Sequence, residues 1–208
     1  MKPRDLLLKN LEPRVIPFFN SRGFRFSRGK LEFNRTVGSI KQTVTIALSK
    51  WNKEDDCTFW TMWGSTSKDY AKWYEAQWGV PPTNNALGGA SDWNIAEWTR
   101  GPDKHFQLSG KPEDAAEMSE FLACVERAGL PYLDRISSWV GAAEELVAQK
   151  WMFDRAADFL LIAGEHARAK EVLLEGIRTF TVDLRHDSSN ELPLIEQRLQ
   201  RYFGDAIA

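Results

Sequence analysis

Apolar positions along this chain change period several times, and each change predicts a different kind of element. Leu8, Leu11, Val15 and Phe18 fall at helical spacing near the start. Pro13 and Pro17 lie inside that stripe. Each lacks an amide donor and crowds the preceding turn, which predicts two short helices or a kink, stopped at Gly23. The period then falls to two. Phe24 and Phe26 alternate with Arg25 and Ser27, Arg28-Gly29-Lys30 reads as a tight turn, and Leu31, Phe33 and Arg35 share a face of the return strand. Beyond Gly38, residues Gln42, Val44, Ile46 and Leu48 alternate with Lys41, Thr43 and Thr45. The polar loop Asn52 to Asp56 leads to a fourth strand, Cys57 to Trp63. Such alternation predicts an antiparallel meander with one face toward a core. The fourth strand carries Phe59 and Trp63 on one face and Trp60 and Met62 on the other, so its second face should also be covered, or should meet a partner.

Ser65-Thr66-Ser67 reads as a cap for a helix bearing Tyr70, Trp73, Tyr74 and Trp78, ended by Gly79-Val80-Pro81-Pro82. Thr83 to Ser91, with Asn84-Asn85 and Gly88-Gly89, is the most loop-like stretch. Trp93, Ile95 and Trp98 begin another extended piece, which turns at Arg100 to Asp103 and returns over His105 to Leu108. From Pro112 onward the period is helical. Met118, Phe121, Leu122 and Val125 form one stripe, stopped by Gly129 and Pro131. A second helix covers Ser138 to Lys150 with Leu146 and Val147 inward. A helical hairpin follows with Gly164 at its turn, and a last helix spans Ser189 to Tyr202. The expected class is α+β: an N-terminal helix on an antiparallel β-sheet meander (residues 1–110), followed by a helical C-terminal subdomain (111–208) packed on it.

Composition changes this picture in one respect. Seven of the nine tryptophans lie between Trp51 and Trp98. Tryptophan is enriched in binding hot spots and seldom fully buried, so the middle of the chain holds an aromatic core or a docking face. Charge adds an asymmetry that the net −2 conceals. Up to Lys53 there are twelve Lys and Arg against three acids, a balance of +9, and the remainder carries −11. Either the two parts attract each other or a basic surface is kept for an anionic partner. No apolar run is long enough to span a bilayer, the start does not read as a signal peptide, and two distant cysteines suit a reducing cytoplasm.

Candidate chemistry is sparse. His105, His166 and His186 form no metal-binding pattern, and Cys57 and Cys124 have no ligand-spaced partner, so neither a metal nor another cofactor is expected. Cys57 follows three acids and Cys124 lies near a helix C-terminus; both settings disfavour a thiolate. Gly23 to Lys30 lacks the spacing of a phosphate loop, and Glu54, Asp55 and Asp56 lack the alternate spacing of a calcium loop. A nucleic-acid surface would use Arg25, Arg28, Lys30, Arg35 and Lys41, but the aromatic residues between them occupy core positions. An enzyme would need a pocket joining His105 or His186 to carboxylates.

Two stretches carry a resemblance. One runs Leu11-Glu12-Pro13, Phe18-Phe19, Gly23-Phe24-x-Phe26 and Phe33-Asn34-Arg35; the other is Ala128-Gly129-Leu130-Pro131-Tyr132-Leu133-Asp134. Together they resemble a family of small bacterial domains of unknown function, in which a proline-containing helix enters a Gly-Phe β-meander and a later helix ends in Gly-Leu-Pro. The small-residue hairpin near the end resembles one tetratricopeptide-type unit. Some relatives of that family are linked to toxin-immunity systems, which implies a protein partner such as a toxin domain. The resulting expectation is a cytoplasmic, non-catalytic binding module that occludes its partner's active site, with homo-oligomerisation left open. Its expected contacts are Arg25, Arg35, Trp51, Glu54, Asp55, Asp56 and Trp93. A nucleic-acid binder on the basic sheet and an enzyme around His105 are the alternatives.

Overall fold

A computed structural model describes residues 1–182 and 190–204 of the chain. The fold is α+β, and contacts divide it into two units. The first comprises Met1–Lys68 and Gly89–Asp134; the second comprises Asp69–Gly88 and the described residues from Arg135 onward. Neither unit is a single run of sequence, so the division does not follow one cut near residue 110.

The first unit begins with α1 (Pro3–Leu11) and α2 (Val15–Asn20). The stripe breaks where Pro13 falls, whereas Pro17 is tolerated in the first turn of α2, whose amides need no helical partner. Gly23, at φ +81°, turns the chain into the sheet. Strands β1 (Arg25–Ser27), β2 (Glu32–Val37), β3 (Ile40–Leu48) and β4 (Cys57–Ser67) pair antiparallel in sequence order. Both β5 (Ala86–Ser91) and β6 (Phe106–Leu108) also pair with β4. Phe26, Phe33, Val44 and Trp63 stand opposite one another across four strands and form an inward row. Ser27, Glu32, Thr45 and Met62 form an outward row beside it. Burial along β4 alternates without a break, as a half-covered sheet requires.

Helices cover the inward face. Phe19 of α2 stacks on Phe33 at 4.1 Å between ring centroids. Phe121 of α4 (Asp114–Cys124) meets Phe59 and Phe106 edge-on at 5.5 and 5.1 Å. Each such buried side chain contributes roughly 1.5–3 kcal/mol. The chain does not stop at Gly129 and Pro131 as the sequence suggests. It passes through a π-helical segment, Val125–Gly129, into α5 (Leu130–Arg135). Pro131 falls in the first turn of α5, where its missing donor is not needed. Gly129 is a contact residue instead of a stop: a Cβ there would lie 2.4 Å from the Trp63 indole.

Three further expectations change. Ser65-Thr66-Ser67 continues β4, paired with Ile40–Gln42, because the long β3 reaches that far. The expected loop at 83–91 contains β5; a Cβ on its Gly89 would lie 3.0 Å from the Trp63 carbonyl oxygen, so the strand's approach to β4 needs the missing side chain. After it, Asp92–Asn94 is a 3₁₀ turn, not a strand, and Ile95 and Trp98 are buried.

The second unit contains α3 (Lys68–Trp78) from Asp69 onward, α6 (Trp139–Ala148), α7 (Phe153–Ile162), α8 (His166–Val182) and α9 (Leu192–Phe203). Ser138 caps α6 by accepting from the Gly141 amide at 3.0 Å. The α7–α8 hairpin turns at Gly164, with φ +81°. Gly176 lets α8 approach closely, since a Cβ there would lie 2.8 Å from both Phe153 Cβ and Ile195 Cδ1.

Candidate functional site

The outward face of the sheet in the first unit is the prominent surface feature. Its positions on β2, β3 and β4, including Asn34, Thr43, Thr45, Ala47, Trp60, Met62 and Gly64, are half-buried or exposed, while their inward neighbours are buried. Met62 is 45% exposed. Trp60 stands one pleat from it along β4 and is flanked by two rings. The His105 imidazole stacks on it at 4.9 Å and the Trp93 indole lies 6.2 Å away. Trp93 and His105 are themselves 5.2 Å apart. The result is a cluster of two indoles and an imidazole beside an exposed thioether.

Asp92 holds this cluster in place. β6 pairs with Cys57–Phe59, and Gly89 of β5 lies against Trp63. Thr61 falls in the interval between them, and the Asp92 carboxylate takes the place of a strand partner there. It accepts from the Thr61 amide at 2.7 Å and the Thr61 hydroxyl at 2.9 Å. The same hydroxyl accepts from Trp63 Nε1 at 2.8 Å. This anchoring fixes the 3₁₀ turn and so projects Trp93 beside Trp60. Burial pushes the Asp92 carboxyl above its ordinary range, against the hydrogen bonds from Thr61.

The seven residues expected to touch a partner are dispersed. Trp93 belongs to the cluster. Arg25 is exposed on β1, opposite Asn34. Trp51, 77% exposed with the Lys50 ammonium 5.0 Å from its ring centre, and exposed Glu54 and Asp55 lie on the β3–β4 loop. Asp55, at φ +54°, accepts from the Met1 ammonium at 2.7 Å, and its amide donates to the Met1 carbonyl. Asp56 accepts from Gln107 Nε2 at 3.1 Å. Arg35 is a structural residue. It reaches Asp134 at 2.7 Å, donates to the Arg22 carbonyl and to Gln42 Oε1, and lies over the Phe24 ring. Trp60, Met62 and His105 join Trp93 without having been in that set. The signal for Trp60 and Met62 was the apolar pair on the second face of β4; none marked His105.

Part of the basic N-terminal stretch is answered within its own unit. Arg22 pairs with Glu126, Arg28 with Glu12 and Lys41 with Glu32. Together with Arg35–Asp134, these pairs set cations in and just before the meander against acids, two of them from the π-helical segment and α5. His105 is engaged with indoles and Asp92 with Thr61; His186 lies outside the described residues. Burial raises the Cys57 thiol to about 12, with Asp56 and Asp114 adding to the effect. Among the described residues, no group of three or more His, Cys, Asp or Glu is placed to hold a metal ion. None of the described helices is long and apolar enough to cross a membrane. No family model matches the chain, and no curated protein and no solved structure matches it.

Proposed function

We propose that this chain is a non-catalytic, cytoplasmic protein-binding module that docks through the outward face of its sheet. The single observation carrying the reading is the Trp60, Trp93 and His105 cluster beside exposed Met62. Aromatic side chains on a rigid sheet supply contact area at low entropic cost, and a methionine beside them can adapt its shape to a partner. Trp51 and the Glu54–Asp56 loop would add a polar rim. Following the family resemblance, the module is an immunity-type protein and its partner a toxin domain whose active site it covers.

Co-expression with the product of the neighbouring gene tests this. Wild type should co-purify with that product, and Met62→Glu, which changes only an exposed side chain, should weaken the complex at least about a hundredfold, the scale of one hot spot. Failure to retain any protein, together with stabilisation of the chain by a small ligand, would favour an enzyme.

A further inference from the structure

Strand β2 outruns the strand beside it, and the mismatch leaves a hollow at the sheet edge. β1 begins at Arg25, paired with Asn34, so Arg35, Thr36 and Val37 of β2 extend beyond it. Gly23 brings the chain in, and even a Cβ there would meet nothing within 4 Å. The resulting space of about 340 Å³ is lined by Gly23, Arg25, Asn34, Arg35 and Thr36. Its lining holds two guanidinium groups and no carboxylate, and the two are unequally served. Arg35 is committed to Asp134, to Gln42 Oε1 and to the Arg22 carbonyl. Arg25 is exposed and has no hydrogen bond or ion pair among the described residues. The other arginines of the first unit all have one. Arg22, Arg28, Arg35 and Arg100 pair with acids, and Arg4, Arg14 and Arg127 donate to carbonyl or hydroxyl oxygens.

The backbone adds a donor. The Ile46 amide donates to the Leu31 carbonyl at 2.8 Å, so Phe33, Arg35 and Val37 bond toward β3 while Asn34 and Thr36 turn their backbone groups the other way. Asn34 meets Arg25 on that side. Thr36 lies past the start of β1 and turns its amide to the hollow. On the outward face, the row of Arg25, Asn34 and Thr43 runs beside that of Ser27, Glu32, Thr45 and Met62. Arg25 is therefore three strand spacings from Met62, roughly 14 Å, and one row along. An interface of about 800 Å² per partner spans both. The charged side chains at outward positions of β1 to β4 are Arg25, Glu32 and Lys41. Lys41 lies 3.6 Å from Glu32, which leaves Arg25 as the surplus. The acidic Glu54–Asp56 loop precedes Cys57, at the far end of β4 from the Arg25 row.

We propose that the protein docking on this face is acidic there, and that one of its Asp or Glu carboxylates enters the hollow, forked by Arg25 and accepting from the Thr36 amide. The proposal rests on the reading of the sheet face as a docking surface and names the chemistry of its partner. A guanidinium holds a carboxylate by two parallel hydrogen bonds, which fixes orientation as well as charge. A cation at the edge of an apolar patch steers association and sets register. One unanswered guanidinium with one amide beside it suits a single carboxylate, whereas a phosphate backbone is held by a run of cations.

Two measurements on the full chain test this. In the first, backbone-amide and arginine Nε–H resonances are followed during titration with acetyl-tetraglutamate amide and, separately, with a single-stranded oligonucleotide. The peptide should shift Thr36 and Arg25. Arg25→Gln should abolish the Thr36 shift, whereas Arg28→Gln, whose charge already meets Glu12, should leave it intact. In the second, the complex with the co-expressed partner should weaken about tenfold on Arg25→Glu, and the loss should shrink at high salt. A complex weakened by Met62→Glu and indifferent to Arg25→Glu would overturn the acidic contact and leave the docking face standing. Indifference to both would overturn the two together. No peptide shift at Thr36, a shift that persists in Arg25→Gln, or larger shifts with the oligonucleotide than with the peptide would also overturn the proposal.

Discussion

At the scale of single residues, the strongest constraints come from side chains that are missing or buried, and these are what a sequence shows least. Gly129 reads as a helix stop, but its role is to admit the Trp63 indole. Gly129→Ala should therefore lose about 1–3 kcal/mol in urea unfolding, the usual penalty of overpacking. Gly101→Ala, where a Cβ would meet nothing within 4 Å, should be nearly neutral. Equal effects would remove Trp63 from the explanation. Asp92 looks like one more polar residue before a tryptophan, yet it substitutes for a strand partner. Because burial raises its carboxyl in the folded chain, the folded state binds that proton more tightly than the unfolded one. Its contribution to stability is fullest below the unfolded value and is lost as pH rises through the folded one. Asp92→Asn keeps an acceptor for Thr61 and removes the titration. Denaturant melts from about pH 7 to about pH 4 should show wild type gaining on the variant as pH falls. A gap that narrows in that direction would contradict the assignment.

At the scale of elements, periodicity was informative wherever one face is buried. The Phe26, Phe33, Val44 and Trp63 row was legible because alternation and burial coincide, and the α1–α2 break was legible because Pro13 removes a donor. β5 was not legible: its Ala-Leu-Gly-Gly-Ala-Ser sequence has little strand propensity, and the strand is held by pairing with β4. The passage from α4 to α5 was hidden too, since a π-helical segment lets a proline enter without a break. Helix ends repeat one device with different residues. After α7, Gly164 donates to the Leu161 carbonyl and Glu165 to the Leu160 carbonyl. After α6, Lys150 donates to Val147 and Trp151 to Leu146 in the same pattern. Gly164 adopts its left-handed conformation without a side-chain penalty; Lys150, at φ +53°, does not. Lys150→Gly should accordingly stabilise the chain by on the order of 0.5–1 kcal/mol, seen as a higher melting temperature. A loss of that size would mean that the Lys150 side chain contributes more than its backbone costs.

At the scale of the whole molecule, part of the charge asymmetry of the sequence is met by pairs such as Arg22–Glu126 and Arg35–Asp134, which tie the first strands to the helices on their inner face. The candidate site was half legible. Trp60 and Met62 announced a second apolar face of β4, and Trp93 stood among the expected contacts. That His105 and Trp93 would converge on Trp60 depends on the Asp92–Thr61 link and could not be read from spacing. What remains for interaction is a sheet face on which aromatic rings and a thioether lie together. The most direct test of that assignment is oxidative footprinting of the methionines with and without the co-expressed partner. Met62 and Met1 are similarly exposed in the chain alone, at 45% and 46%. The account predicts that both oxidise readily in the free protein and that Met62 becomes strongly protected in the complex, more so than Met1, which lies beside the Glu54–Asp56 rim. A stable complex in which Met62 oxidises as fast as in the free chain would contradict it.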